Sequence, residues 1–178
     1  MENEQLLYVP VCHQNKVVKD MGAKFKRKSL SNNTKGYFFV PNTIDEEKSK
    51  QLLSNYGRES YEAKQKEKNL LLEWKKTISE NDNFECLRMA KKYGFPKDEK
   101  IMESLFLKFN DRNKENYPIS WEHLREYIPS FDEEFGVDRY LELHRKYNLQ
   151  GDMVEAISKS NMPTIDKYFL YFVYEINE

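Results

Sequence analysis

Apolar and polar residues alternate in the first part of the chain, and apolar residues recur at helical spacing in the rest. Residues 5–11, QLLYVPV, are apolar and β-favouring, and they predict a short strand closed by Pro10. Residues 13–22 predict a short helix that ends at Gly22, a residue typical of helix C-termini. The chain therefore opens with a strand followed by a helix.

A basic hairpin is predicted next. Residues 23–30, AKFKRKSL, alternate so that one face of a strand packs while the other presents lysines to solvent. Residues 31–36, SNNTKG, predict the turn, because Asn and Gly tolerate positive φ angles. Residues 37–41, YFFVP, predict the return strand.

The aromatic residues of this hairpin are assigned by alternation. We expect Phe25, Phe38 and Val40 to lie in the core. Tyr37 alternates in direction with Phe38, and we expect it to be exposed.

A helix over residues 42–57 completes the first module. Thr43 is expected to be its N-cap, with Glu46 three positions later in a capping-box arrangement, and Gly57 closes it. The order of elements in residues 1–58 is therefore β-α-β-β-α.

The remainder of the chain has a helical pattern. Residues 164–177 are compatible with a buried helix or a strand, but Pro163 and the early acidic residue Asp166 favour a helix. The predicted helices cover residues 61–80, 83–94, 98–110, 120–128, 137–148, 152–160 and 164–177. We expect an α+β protein with a small β-α-β-β-α module at residues 1–58 followed by an all-helical domain at residues 59–178.

Composition narrows the class of protein. The aromatic share of 14% is enough to fill a core although 33% of residues are charged. The start is acidic and no apolar run approaches the length of a membrane span, so we expect a cytoplasmic protein without membrane contact. Cys12 and Cys86 have no paired spacing and the three histidines have no metal-ligand spacing, so no disulfide, metal or cofactor is expected.

Charge is distributed unevenly along the chain. Residues 1–60 hold ten Lys/Arg and seven Asp/Glu, a balance of +3, while the remainder holds nineteen and twenty-three, a balance of −4. A local basic face on the first module is compatible with these numbers, although the whole chain carries only −1.

The basic hairpin is the leading candidate for binding. Lysines at alternate strand positions can pair with successive phosphates of DNA or RNA, and an exposed ring can stack on a base. In the alternative interpretation, the lysines only protect an edge strand from aggregation. The candidate nucleic-acid-binding residues are Lys16, Lys19, Lys24, Lys26, Arg27, Lys28, Lys35 and Tyr37. No catalytic or metal-binding residue is assigned.

Short motifs in residues 5–57 resemble those of a known domain family. The motifs are Val9-Pro10, the lysine-bearing helix with Lys16 to Lys19, Gly22-Ala23 followed by Lys24 and Phe25, and the closing Phe38 to Pro41. They resemble a small uncharacterised domain found in mobile-element proteins, notably beside plasmid TraC-like primases and topoisomerase-associated proteins. The resemblance covers residues 5–57. It implies that the domain occurs alongside DNA-handling proteins and does not imply an activity. The family usually has Trp where this chain has Phe25 and Phe38, and the hairpin here is longer.

Two other functions remain open. The helical domain could bind a host protein, which would make the chain an inhibitor or adaptor of the anti-defence type; its acidic character would also suit a basic partner or DNA mimicry. A third class is an enzyme whose site is too dispersed to recognise. The sequence leaves the oligomeric state open.

Overall fold

A computed structural model describes residues 4–21, 26–31, 33–111 and 118–176, with the side chains at positions 26, 27, 31 and 42 excepted. The chain divides into two compact units between Asn69 and Leu70. We call residues 4–69 the sheet unit and residues 70–176 the helical unit. The division falls inside a long helix, whereas the predicted boundary at residue 58 coincides with the start of that helix.

The sheet unit contains three strands and two complete helices. They are β1 (Gln5–Pro10), α1 (Gln14–Met21), β2 (Lys26–Ser31), β3 (Thr34–Phe39) and α2 (Glu46–Tyr56). Short 3-10 turns precede α1 at Val11–His13 and α2 at Pro41–Thr43. The helix that follows, α3 (Arg58–Glu80), contributes its first part to this unit and its second part to the helical unit.

The helical unit continues with seven further helices in the part of the chain that the structure describes. They are α4 (Asn83–Tyr93), α5 (Glu99–Asn110), α6 (Trp121–Tyr127), α7 (Phe131–Phe135), α8 (Val137–Tyr147), α9 (Met153–Lys159) and α10 (Thr164–Val173). The expected mixed α+β class, with a small sheet near the N-terminus and a mostly helical remainder, is confirmed. Among the described residues, no helix is long and apolar enough to span a membrane.

The sheet is antiparallel and has the order β1-β3-β2, so β3 is central. Leu7 lies opposite Tyr37 and Gln5 lies opposite Phe39. Directly opposed residues of antiparallel strands share a face, and successive residues alternate between faces. One face therefore carries Leu7, Val9, Tyr37 and Phe39, and we call it the inner face.

The inner face forms the core of the sheet unit. Its four apolar side chains are buried together with Val17 and Met21 of α1 and Leu52 of α2. Both helices therefore cover the same side of the sheet. The opposite side, which we call the outer face, carries Leu6, Tyr8, Leu30 and Phe38, all half-buried.

The hairpin turn is tighter than the sequence predicts. Thr34, Lys35 and Gly36, expected in the turn, are the first three residues of β3, and Ser31 is already paired with Thr34. A register shift between Ser29 and Ser31 bends the end of β2. The connection between the two strands is therefore shorter than the six residues expected from the sequence.

The start of α2 also differs from the prediction. Asp45 is the N-cap, because its carboxylate accepts hydrogen bonds from the backbone N–H groups of Glu47 at 3.0 Å and Lys48 at 3.2 Å. Thr43 is not the cap. Its hydroxyl donates instead to the Val40 carbonyl at 2.6 Å, within the 3-10 turn that begins at Pro41.

The helical unit has a larger core, built mainly from aromatic rings. Phe106 of α5 lies at its centre, 1% exposed, with ring centroids 5.1 Å from Phe135 and 5.7 Å from Phe172. Trp74 of α3 and Leu124 of α6 are fully buried in the same cluster. The apolar stripes of α3, α4, α5 and α10 therefore meet in one core.

Polar residues cap the N-termini of several of these helices. Asp82, Asp98 and Asp152 cap α4, α5 and α9 through backbone N–H groups three residues later. Ser120 and His123 form a reciprocal capping box at α6. These caps satisfy N–H groups that have no partner within the helix.

Candidate nucleic-acid interface

The structure separates the predicted basic residues between the two sides of the sheet. Lys16 and Lys19 are exposed on α1, on the side that α1 and α2 cover. Lys35 lies opposite Val9 in register, at the rim of the inner face, and its ammonium group donates to the Ser29 hydroxyl at 2.9 Å. None of these three lysines lies on the outer face.

Edge strand β2 carries the other basic residues. Lys28 is exposed and lies opposite Gly36, whose position belongs to the outer face. In the backbone register, Lys26 is paired with Phe38 and Arg27 with Tyr37. Lys24, the remaining predicted residue, lies outside the described residues, as does Phe25.

The prediction that Tyr37 is exposed is wrong. The residue is 2% exposed, and its hydroxyl donates to Gln14 Oε1 of α1 at 3.1 Å. The expected core position of Phe38 is wrong for the same reason, since Phe38 is half-buried on the other face. Shifting the alternation of a strand by one residue moves every side chain to the opposite face. The pairing of β3 with Leu7 and Val9 of β1 fixes which residues of β3 face the core. Val40 follows the strand and is also half-buried.

Phe38 is the aromatic residue that the sequence reasoning missed as a binding candidate. It lies on the central strand between Leu6 of β1 and Lys26 of β2, its two directly opposed neighbours. Lys28 is its diagonal neighbour, a position roughly 7–8 Å away that a long side chain can reach. Alternation within β3 leaves the orientation of Phe38 open, and the pairing of Tyr37 with Leu7 decides it.

The surface next to Phe38 on the β3 strand is apolar and has no side chain of its own at position 36. Gly36, two residues before it on the same face, is covered by Leu6 and Leu30, whose methyl groups lie 3.0 and 3.1 Å from where a Cβ would stand. A side chain at this position would therefore displace both leucines. Glycine lets the two leucines close over the strand beside the ring.

Tyr8 on the same face already has an aromatic partner. Its ring is stacked on Tyr61 of α3, with centroids 4.4 Å apart and an interplanar angle of 13°. Nearby Arg58 donates to Glu62 at 2.7 Å. The beginning of α3 therefore covers the Tyr8 end of the outer face, while Phe38 retains partial exposure.

The two units differ in charge. Residues 1–69 hold 13 Lys/Arg and nine Asp/Glu, a balance of +4, and residues 70–178 hold 16 and 21, a balance of −5. The outer face therefore belongs to the cationic part of the chain. It combines the partly exposed Phe38 ring with the exposed Lys28 of edge strand β2, a pair of groups that can contact a base and a phosphate.

A cleft in the helical unit has the opposite character. Its volume is about 670 Å³, and its lining includes seven carboxylates against one lysine and one arginine. The acidic residues are Glu99, Asp132, Glu133, Glu134, Asp138, Glu142 and Asp166. We call it the acidic cleft.

An ion pair forms one wall of the acidic cleft. Arg139 donates to both carboxylate oxygens of Asp166, at 2.8 and 3.0 Å, and Asp166 is only 2% exposed. Burial opposes the charge on Arg139, but its bonds to Asp166 and Glu142 more than offset this and raise its pKa. Arg139 and Asp166 are 27 positions apart, and no sequence motif links them.

A second polar cluster joins α8 to the end of α10. The Tyr174 hydroxyl lies 2.7 Å from both the Tyr140 hydroxyl and His144 Nε2. Burial lowers the pKa of His144, and burial together with the bond to Tyr140 raises the pKa of Tyr174 well above its usual value. These hydrogen bonds hold the end of α10 against α8.

The other candidate side chains are dispersed. His13 is bonded to the Tyr56 hydroxyl at 3.2 Å, Cys12 is exposed, and Cys86 is buried, which raises its thiol pKa to about 11. Within the described ranges, no group of three His, Cys, Asp or Glu side chains is arranged to hold a metal ion.

Comparison of the chain with protein-family models, curated proteins and solved structures finds no match to any of the three.

Proposed function

We propose that this chain is a non-enzymatic nucleic-acid-binding protein of a phage, plasmid or other mobile element, and that the outer face is its binding surface. The observation that carries the proposal is the partly exposed Phe38 on the central strand, in register with the lysine-bearing edge strand β2. In this proposal, Lys26 and Lys28 pair with phosphates while Phe38 contacts a base. The two free cysteines suit a reducing cytoplasm.

The resemblance to the domain beside TraC-like primases supports the mobile-element setting. In this proposal the sheet unit, with its element order β-α-β-β-α, is that domain, and the helical unit is an addition to it. Lys16, Lys19 and Lys35 are then not part of the binding surface, although they add to the positive potential of the unit.

A pair of matched charge reversals tests the proposal. Binding of the full chain to fluorescein-labelled DNA and RNA is followed by fluorescence anisotropy at roughly 50 and 200 mM salt. Lys26→Glu with Lys28→Glu is expected to weaken binding by at least about ten-fold and to reduce its salt dependence. Lys16→Glu with Lys19→Glu, the same change of charge on the helix side, is expected to weaken it much less.

Tyr37→Phe serves as a second control, because it removes a hydroxyl from the core without touching the outer face. Absence of any binding at low salt, or equal losses in the two double variants, would reject the outer face as the interface. Thermal melting of each variant separates loss of binding from loss of folding.

The acidic cleft supports a second candidate function. In this alternative, the chain is an inhibitor or adaptor of the anti-defence type, and the cleft of its helical unit binds a cationic segment of a host protein. Its net lining charge and concave shape support this. In a titration with a labelled Lys/Arg-rich peptide, Glu133→Gln with Glu134→Gln is expected to weaken binding. Glu122→Gln with Glu126→Gln, which makes the same charge change on exposed α6 positions, should have less effect. Equal weakening by both variants would count against the cleft.

A further inference from the structure

We propose that the outer face selects single-stranded nucleic acid over duplex, with the Phe38 ring stacking on an unpaired base. This inference rests on the proposed nucleic-acid function and specifies its ligand. The observations behind it are the position of Phe38, the apolar character of its surroundings, and the placement of positive charge along one edge of the face.

The first step concerns what a ring on a sheet can contact. Phe38 lies on the central strand of a three-stranded sheet, with a strand on each side of it. In a duplex the bases are already stacked on one another, and their faces are not available to a side chain. A single strand exposes base faces, and aromatic residues on sheets are one of the ways that proteins bind them. The ring therefore contributes to binding only when the bases are unpaired.

The second step concerns the rest of the face. Leu6 lies directly opposite Phe38, and Leu6 and Leu30 close over Gly36, two residues before it. Tyr8, which is stacked on Tyr61, lies opposite Gly36, so the β1 side of the face is apolar. A duplex presents phosphates on its outside, and phosphates laid over the leucines and the tyrosine pair would lose water without gaining a cation at that place. Unpaired bases have apolar faces that gain from the same contact. The apolar part of the face therefore favours bases and disfavours phosphates.

The third step concerns the backbone of the ligand. Lys28 is exposed on edge strand β2, and Lys26, two positions before it, is paired with Phe38 in the backbone register. Residues two apart on a strand are separated by about 6.6–6.8 Å along its axis. A strand whose bases lie over Phe38 can thus place its phosphates along one edge, next to these lysines. The arrangement serves a ligand with its bases on one side and its charge on the other.

Tyr8 is less suited to the same role, because one face of its ring is already covered by Tyr61. Phe38 has no ring contact of this kind among the described residues. The stacking contribution is therefore assigned to Phe38.

Anisotropy titrations of the full chain test the inference with four probes. These are labelled oligothymidylate and oligouridylate about 15 nucleotides long, an abasic sugar-phosphate strand of the same length, and a duplex of the same length. The single strands are expected to bind at least about ten-fold more tightly than the duplex and the abasic strand. The thymidylate and uridylate arms compare DNA with RNA, and tighter binding of either over the duplex supports the inference.

Variants of the ring complete the test. Phe38→Leu keeps apolar bulk and removes the aromatic face, and it is expected to weaken single-strand binding roughly ten-fold while leaving duplex binding unchanged. Phe38→Trp, which keeps a stacking surface, is expected to retain binding.

Each result decides a different point. Equal or tighter binding of the duplex, equal binding of the abasic strand, or an unchanged affinity of Phe38→Leu for single strands overturns the single-strand inference while leaving nucleic-acid binding in place. Failure of every probe to bind at low salt overturns the proposed function and the inference with it.

Discussion

The two units of the chain differ in how many hydrophobic residues they bury and in where these residues lie. Among the described residues of the helical unit, 23 hydrophobic residues are buried in one cluster, and aromatic rings from α5, α7 and α10 contact each other at its centre. Among those of the sheet unit, seven are buried in its core cluster, and all seven lie on one side of the sheet or on the helices that cover it. On the outer face of the sheet, Leu6, Tyr8, Leu30 and Phe38 are half-buried, and the start of α3 covers Tyr8. The two faces of the sheet therefore differ in burial, and the proposed ligand is assigned to the less buried one.

The largest expected effect comes from comparing one phenylalanine in each unit. Phe106→Ala removes a ring that is 1% exposed and should cost about 3–5 kcal/mol of unfolding free energy. Phe38→Ala removes a half-buried ring from the outer face and should cost about 1 kcal/mol or less. Urea unfolding followed by circular dichroism measures both. Similar losses for the two variants would show that Phe38 belongs to a core and is not a surface residue.

A smaller effect is expected at the buried ion pair of the helical unit. Arg139→Ala leaves the Asp166 carboxylate buried without its cation, and should cost about 2–3 kcal/mol, since partial exposure of Arg139 lets water reach the site. Glu142→Ala removes only the exposed partner of Arg139, at 3.3 Å, and should cost less than about 0.5 kcal/mol. The same urea experiment checks this order, and a loss at Glu142 as large as that at Arg139 would contradict it.

The smallest effect concerns pH. The pKa of His144 is lowered in the folded chain, so the unfolded chain binds a proton more readily at this position. This contribution to stability is complete above the ordinary histidine pKa of about 6.5 and is lost as the pH falls through the folded value. Unfolding free energy should therefore decrease from pH 7.5 to pH 5.5 by more in the native chain than in His144→Gln.

A pH dependence that His144→Gln leaves unchanged would remove His144 as its source.

Sequence patterns predicted the helices well where polar residues mark their starts. Asp82, Asp98, Ser120 and Asp152 are local signals, because a cap needs only the next three residues. The ambiguous stretch before the C-terminus forms helix α10, as Pro163 and Asp166 favoured. The N-cap of α2 was misplaced, because Thr43 and Asp45 both have suitable side chains and the 3-10 turn after Val40 decides between them.

The candidate site was harder to predict, because it depends on pairing between distant residues. Alternation alone leaves two possible phases for Tyr37 and Phe38, and the contact of β3 with Leu7 and Val9 selects one. The basic residues look contiguous in the sequence, but a strand sends successive side chains to opposite faces and α1 lies on only one of them. The Arg139–Asp166 pair depends on how α8 meets α10, which no local pattern contains.

Mapping the bound strand on the protein tests the central claim most directly. Amide chemical shifts are recorded by NMR while unlabelled oligothymidylate is added to the full chain. Shifts are expected to concentrate on the paired residues of β2 and β3, from Lys26 to Phe39, with little change on α1 and around the acidic cleft. Shifts centred on Lys16 and Lys19, or spread over both units without a maximum on β3, would contradict the assignment of the outer face as the nucleic-acid interface.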